Sequence, residues 1–389
     1  EDVSAKAAAD PKLFEQTLVV KLNGGLGTSM GLEHAKSLIR IKNDLTFLDL
    51  IVRQVLHLRT RHGVHLRFLL MNSFSTRRDT LDFLRRYPDL GKPSTLELLQ
   101  NSVPKVEAAT LRPVRWAADP QLEWCPPGHG DLYPSLLESG WLKRLLADGV
   151  QFMFVSNSDN LGATLDPGLL SWFAQSRLPF VMEVAERTAA DRKGGHLARR
   201  GGRFLLRESA QCPEDDSRAF QDIGRHRFFN TNNLWLRLDR LDALLKAGGG
   251  FVPLPLIRNS KPVDPRDRHS PAVFQLETAM GAAIESFPDS GAIVVPRSRF
   301  APVKTTPDLL TLRSDAYAVS EDWRMLPARP EIGPPVVHLD PEYYKLLEQL
   351  EQNLSEGVPS LCNCRELKVR GNVRFRPDNV FRGKVEIEV

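Results

Sequence analysis

Residues 18–36, LVVKLNGGLGTSMGLEHAK, constrain the fold of this chain more than any other stretch. An apolar, β-branched run of Leu18, Val19, Val20 and Leu22 stops at Asn23. Glycines follow at Gly24, Gly25, Gly27 and Gly31, and Lys36 stands five residues past the last of them. A strand that empties into a glycine-rich loop suits a phosphate. Without Cβ atoms the backbone N–H groups can approach an anion and adopt φ > 0, and a following helix would aim its positive N-terminus at the same place. Two common fingerprints do not fit. A P-loop needs lysine and then Ser/Thr directly after its last glycine, where this chain has Leu32 and Glu33. The dinucleotide fingerprint G-x-G-x-x-G fails because three residues separate Gly27 from Gly31, although an acidic residue, Asp44 or Asp49, stands downstream. The plainer alternative is a glycine turn with no ligand.

Downstream, apolar runs alternate with amphipathic segments in the βαβ manner. Phe47, Leu48, Ile51, Val55 and Leu58 fall on one helical stripe. Strands are expected at 67–71, 151–156, 180–184, 204–208 and 233–238, and helices at 76–87, 134–148 and 271–285. This order predicts an α/β fold: a largely parallel, twisted sheet with helices on both faces. Ligands gather at the carboxyl ends of such strands. Asn23, Asn72 and the run Ser156-Asn157-Ser158-Asp159-Asn160 stand at those ends. Asp159 is placed where a carboxylate can hold Mg²⁺ between phosphates; the alternative is a helix cap or turn residue.

Composition narrows the classes. A chain of 389 residues, 42% hydrophobic and 26% charged, has room for one large domain with an appendage or for two domains. Its net charge of +4, from 52 basic and 48 acidic residues in mixed order, gives no stripe for nucleic acid. No apolar run reaches the roughly 20 residues that span a bilayer. Four cysteines are too few and too oddly spaced for a disulfide framework, which points to the reducing cytoplasm, and Cys362-Asn363-Cys364 lacks zinc spacing. The chain starts at Glu1 without methionine or signal peptide, so its true N-terminus is expected to be absent.

Nine segments occur in order: LNGGLGTSMG (22–31), TFLDL (46–50), MNSF (71–74), PPGHGDLY (126–133), FVSNSDNLGA (154–163), KGG (193–195), FNTNNLW (229–235), QLETAMGAAI (275–284) and VPRSRFAPVKTT (295–306). Together they resemble the UTP–glucose-1-phosphate uridylyltransferase family, the UDP-glucose pyrophosphorylases. The resemblance implies a Rossmann-like, mixed and mostly parallel sheet of the nucleotide-diphospho-sugar transferase type. It also implies the substrates UTP and glucose 1-phosphate, the products UDP-glucose and pyrophosphate, and Mg²⁺ as cofactor. In that reaction a sugar phosphate oxygen attacks the α-phosphorus of UTP in line. Both reactants are anionic, so positioning and charge neutralisation should dominate, with no covalent intermediate.

Carried over position by position, the resemblance makes Lys36, Asp159 and Lys304 the catalytic group, with Asp159 as metal ligand. Nucleotide contacts are implied for Leu22, Asn23, Gly24, Gly25, Gln100 and Gly128 besides that group. Sugar phosphate contacts are implied for Gly24, Gly25, His129, Asn157, Gly195, Asn232, Asn233 and Glu277. Strand alternation allows only one of Asn232 and Asn233 to face the ligand. Before Lys36 the family usually has Gly-Pro, whereas this chain has His34-Ala35, which loosens the approach to the lysine without removing its charge. Thr28-Ser29-Met30 matches the glucose branch, so N-acetylglucosamine and broad UDP-sugar pyrophosphorylases are weaker alternatives. A catalytically silent sensor on the same fold would keep the glycines and lose the cations. An NAD oxidoreductase would need the missing fingerprint.

The expected organisation is a catalytic domain over 1–325, a connector with a helix over 326–360 (helical at 341–354), and an abbreviated β-helix-like segment over 361–389. That last segment is marked by Leu367, Val369, Val373, Phe375, Val385, Ile387 and Val389. The family continues into a left-handed β-helix that in some members makes oligomer contacts. Either this is a short natural version or residues beyond Val389 are missing. A monomer or dimer is expected rather than a large assembly.

Overall fold

The apolar run after Gln16 forms strand β1 (Thr17–Asn23), flanked on both sides by parallel strands. In the computed structural model, residues 10–27, 30–188, 191, 194–265, 267 and 269–389 are described. Thr28, Ser29 and Lys193 of the quoted segments lie outside them. After β1 come helix α1 (Phe47–His62), strand β2 (Arg67–Asn72), helix α2 (Arg77–Leu84) and strand β3 (Glu97–Leu99). Helices α3 (Leu132–Glu138) and α4 (Trp141–Ala147), strand β4 (Phe152–Asn157), helix α5 (Pro167–Ser176) and strand β5 (Phe180–Glu186) follow. A hairpin of β6 (His196–Arg200) and β7 (Arg203–Arg207) leads to the long strand β8 (Phe228–Arg237) and helix α6 (Leu238–Ala247). Next are the antiparallel pair β9 (Leu256–Pro262) and β10 (Ala272–Thr278), and then strand β11 (Gly291–Val294).

Nine of these strands make one sheet in the order β7-β6-β8-β4-β1-β2-β3, with β5 against β8 and β11 against β5. Only β7 and β8 run against the rest. Alternation along β1 feeds two cores. Val19 packs with α1 and α5, while Leu18 and Val20 pack with α3, α4 and α6. Helices therefore cover both faces, as the βαβ order predicts. Helix α1 starts at a capping box in which Thr46 accepts from the Asp49 N–H and Asp49 accepts from the Thr46 N–H, and it ends at Gly63 with φ 64°. Asp49 also accepts from the Tyr87 hydroxyl. Its carboxylate is thus spent on a cap and a half-buried tyrosine, with none left for a ribose.

Three local expectations are corrected. No α-helix follows the glycine loop: Lys36–Leu38 is one 3₁₀ turn, so no helix dipole points at the loop. The single helix expected over 134–148 is two, broken at Gly140 with φ 73°. Residues 271–285 are not a helix. Ala272–Thr278 pairs along its whole length with β9, and only Met280–Glu285 turns, as 3₁₀. Here long-range strand pairing overrides an apolar spacing that also suits a helix.

The remaining chain holds helix α7 (Thr306–Arg313), strand β12 (Val336–Leu339), helix α8 (Leu347–Asn353) and strands β13 (Ser360–Arg370) and β14 (Val380–Glu388). Strands β12, β13 and β14 form a parallel sheet. Because β12 already pairs with β13, this sheet reaches back into the stretch expected to be connector. Leu361, Leu367, Val369 and Phe375 join the same buried cluster as Val19 and Phe47. Among the described residues no helix is long and apolar enough to cross a membrane.

Candidate active site

The carboxyl ends of β2, β1 and β4 lie side by side, with Asn23 paired to Asn72 and Leu22 to Asn157. Asn23 is buried and donates to Asn72 Oδ1 at 2.8 Å and Thr80 Oγ1 at 2.9 Å, so its side-chain amide nitrogen is spent on fixing the strand ends. The Leu22 carbonyl accepts from Ser158 N–H at 3.0 Å and ties β1 to the loop after β4. Beyond Asn23 the glycine loop folds back on itself: the Lys36 N–H reaches the Gly25 carbonyl at 3.3 Å, and Ser73 Oγ donates to the Gly24 carbonyl at 2.8 Å. This return brings Lys36 Nζ to 2.6 Å from Asp159 Oδ2, with both side chains mostly shielded. Two groups 123 residues apart in sequence therefore meet as an ion pair.

Gln100 is buried against the loop. Its backbone N–H donates to Asn72 O at 2.9 Å, and a Cβ added to Gly24 would collide with its side-chain amide. Asp131 connects this side to the segment that carries Gly128 and His129. Its carboxylate accepts from Asn101 N at 2.7 Å, Asn101 Nδ2 at 3.1 Å and Ser135 Oγ at 2.7 Å. Gly128 has φ 83°, and a Cβ there would stand 2.6 Å from the Thr278 carbonyl oxygen and 2.9 Å from Glu277 Cβ. Only glycine fits, and its place puts Glu277 directly behind the 126–131 loop.

His129 Nδ1 accepts the Met280 N–H at 3.0 Å, and burial pulls its imidazole down to about 4. The ring is therefore neutral at ordinary pH, with its proton on Nε2. Nε2 stands 3.4 Å from Asn232 Nδ2, which lies 3.5 Å from Asn157 Oδ1. Asn230 Nδ2 donates to Asn232 Oδ1 at 3.1 Å and so turns the Asn232 amide nitrogen toward His129. Two donors stand side by side, an arrangement suited to an oxygen-rich ligand.

The choice between the two asparagines is resolved by a break in β8. Residues 231–233 stand opposite the single residue Glu183, and Asn232 takes φ 62°. Asn tolerates this left-handed backbone better than most residues. Asn233 points the other way, fully buried, and donates to Glu183 Oε2 at 2.9 Å. It turns away from His129 and Asn157 and belongs to the core.

Lys304 is exposed, and the Val303 N–H beside it donates to the Asp159 carbonyl at 3.2 Å. Sequence reasoning missed its neighbour Glu208. Burial raises the Glu208 carboxyl while Lys304 pulls it down, and its carboxylate fills the space a Cβ on Gly195 would need. Nothing in its local sequence marks Glu208, since contact with Gly195 arises only when β6 and β7 fold together. For a metal, Asp159 is the carboxylate at hand, and among the described residues no cluster of three His, Cys, Asp or Glu forms. One carboxylate completed by substrate phosphates and water suits Mg²⁺, which favours few protein ligands.

A parallel-centred α/β sheet with a lysine, a carboxylate and a glycine loop at its carboxyl edge defines a nucleotidyltransferase, and a neutral histidine beside paired asparagines stands at the same edge. The comparisons with known proteins agree. Residues 1–382 match the family described as UTP--glucose-1-phosphate uridylyltransferase. The enzyme of that name from Solanum tuberosum is 39% identical over 391 residues, 99% of this chain and 79% of that one. Its namesake from Saccharomyces cerevisiae is 39% identical over 372 residues, 95% of this chain and 73% of that one. A crystal structure of a point mutant of Leishmania major UDP-glucose pyrophosphorylase in complex with UDP-glucose superposes with TM-score 0.93 at 50% identity, covering 99% of this chain and 84% of that one. A Trypanosoma brucei structure gives TM-score 0.92, also at 50% identity, over 98% of this chain and 83% of that one. The chain belongs to the UTP–glucose-1-phosphate uridylyltransferase family.

Proposed function

We propose that this chain transfers the uridylyl group of UTP to glucose 1-phosphate, giving UDP-glucose and pyrophosphate. The observation that carries this reading is the meeting of Lys36 and Asp159 beside the His129, Asn232 and Asn157 cluster at one sheet edge. A phosphate oxygen of the sugar forms the new bond to the α-phosphorus, and the bond to pyrophosphate breaks on the opposite side. Lys36 leaves Asp159 for the nucleotide phosphates. Lys304 balances charge on the departing pyrophosphate, and Gln100 with the backbone at Gly128 holds the base. His129 donates from Nε2, and Asn232 and Asn157 orient the sugar phosphate. Mg²⁺ held by Asp159 would neutralise phosphate oxygens during the transfer.

Purified chain given UTP, glucose 1-phosphate and Mg²⁺ should release pyrophosphate, and a folded chain that stays silent overturns the reading. Competition among glucose, galactose and N-acetylglucosamine 1-phosphates tests the sugar, with glucose expected to win. We also read the protein as a cytoplasmic monomer or dimer. All four cysteines are free, which suits a reducing compartment, and sedimentation checks the assembly.

A further inference from the structure

Three segments of the candidate site converge on one buried ion pair. Glu183, in the middle of β5 and fully buried, accepts from both Arg299 Nη2 and Arg299 Nε at 2.7 Å, the two-pronged geometry that favours arginine. The same carboxylate takes the Trp235 Nε1–H and the Asn233 Nδ2–H, each at 2.9 Å, which anchors β8 next to Asn232. Arg299 Nη2 reaches on to the Thr164 carbonyl at 3.1 Å. The Arg299 carbonyl in turn accepts from Asn160 Nδ2 at 3.1 Å. Asn160 Oδ1 accepts from the Gly162 N–H at 3.2 Å and the Ala301 N–H at 2.9 Å. The loop after β4 and the 297–304 segment are thus stitched together on either side of Asp159 and Lys304.

Gly162 supplies an independent sign of the same design. A Cβ there would collide with the Ser298 carbonyl oxygen and stand 2.9 Å from the Arg299 carbonyl carbon, so the two backbones touch where only glycine permits it. A buried charge pair is costly unless fully hydrogen-bonded, and this one has every carboxylate oxygen engaged.

We propose that Glu183, Arg299, Asn160 and Gly162 are positioning residues that set the spacing between the Asp159 carboxylate and the Lys304 ammonium; the inference rests on the uridylyltransferase reading. Each of the four is engaged by protein groups in the contacts described above. Asn160 holds the two segments in register, and the Glu183–Arg299 pair holds Asn160. An offset of about 1 Å between reacting groups costs on the order of 100-fold in rate.

The test uses Asn160→Ala, which leaves the ion pair intact, with Gly162→Ala as a second variant. Asp315→Asn serves as a control, because it removes a remote carboxylate that accepts the Leu361 and Cys362 N–H groups. All are assayed well below their melting points. In Asn160→Ala and Gly162→Ala, kcat should fall by roughly 10- to 100-fold while the KM for glucose 1-phosphate holds. The control should lose stability and keep kcat. Hydrogen exchange at the Ala301 and Val303 amides should accelerate in both variants, while the ladder between β1 and β4 stays slow. Unchanged exchange at those two amides, or faster exchange with kcat retained, overturns the proposal. If the wild type itself does not turn over, the proposed function fails, and the exchange measurement still decides whether Asn160 and Gly162 hold the two segments together.

Discussion

Lys36 and Asp159 neutralise one another across 2.6 Å, and in the proposed reaction each changes partner when the triphosphate binds. Replacing either with alanine should lower kcat/KM by roughly 10²–10³, the range seen for lost transition-state electrostatics, and steady-state assays showing near-normal turnover in both variants would refute their roles. His129 predicts the opposite kind of result. Since burial holds its imidazole down to about 4, it does not titrate between pH 5 and 8. Profiles of kcat/KM for wild type and His129→Asn should run parallel there, and a step near pH 6.5 present only in the wild type would contradict the neutral donor. Lys21 carries a third prediction. Its ammonium lies inside the sheet, donating to Ser156 Oγ at 2.8 Å and the Ala163 carbonyl at 2.5 Å. Burial, helped by Arg299 and opposed by Glu183 and Asp159, lowers it from 10.5 to about 7. Between those values the unfolded chain holds the extra proton, so stability rises with pH across that window. Denaturant melts should therefore show wild type gaining on Lys21→Met from pH 7 to 10, and curves that stay parallel would count against a neutral buried lysine. Lys21 and Glu183 were within reach of sequence reading, because a charge inside an apolar strand such as FVMEVAE demands a buried partner. The identity of that partner was not, because Glu183 and Arg299 meet only through the tertiary fold.

Elements with strong local signals were legible: β1, β2, β4 and α1 follow from their apolar spacing, and Asn23, Asn157 and Asp159 from their places at strand ends, whereas the other candidate site residues came only through the family resemblance. Residues 271–285 were not, because a strand whose partner is distant carries no local mark of that partner. The same holds at Asn232, where an irregular register against β5 rather than simple alternation decides which asparagine faces His129. The glycine loop invites a test of its own. Ala35 stands where relatives of this family usually carry proline, and its φ of −55° lies within the range a proline ring imposes. Among the described residues its N–H donates no backbone hydrogen bond, so none would be lost. Ala35→Pro should stabilise the fold by about 0.4–1 kcal/mol through a less free unfolded chain, and thermal melts with an unchanged or lower midpoint would show that the loop resists the ring.

Across the whole molecule, the C-terminal strands behave as part of the catalytic unit and not as an appendage hung from it. Phe375 is fully buried in the cluster that contains Phe47 and Val19, with the Tyr344 ring 6.2 Å away. Tyr344 donates its hydroxyl to the Val373 carbonyl at 2.7 Å, and its own carbonyl accepts from the Thr306 hydroxyl at the start of α7. Leu346, two residues on, lies against Gly31, so a Cβ there would come within 3.1 Å of it. The alternating apolar residues of 361–389 foretold strands, yet no local pattern foretold that their inner side would share a core with β1. A shared core requires shared cooperativity. Calorimetry of the wild type should show one unfolding transition, and Phe375→Ala should lower the stability of that same transition by about 3–5 kcal/mol, the usual cost of emptying a buried phenylalanine site. UTP added to either protein should raise the whole transition, since a ligand of the native state stabilises everything that unfolds with its site. Two separate transitions, with only one sensitive to Phe375→Ala and the other to UTP, would show instead that the C-terminal sheet folds on its own and that the contact at Gly31 carries no energy between them.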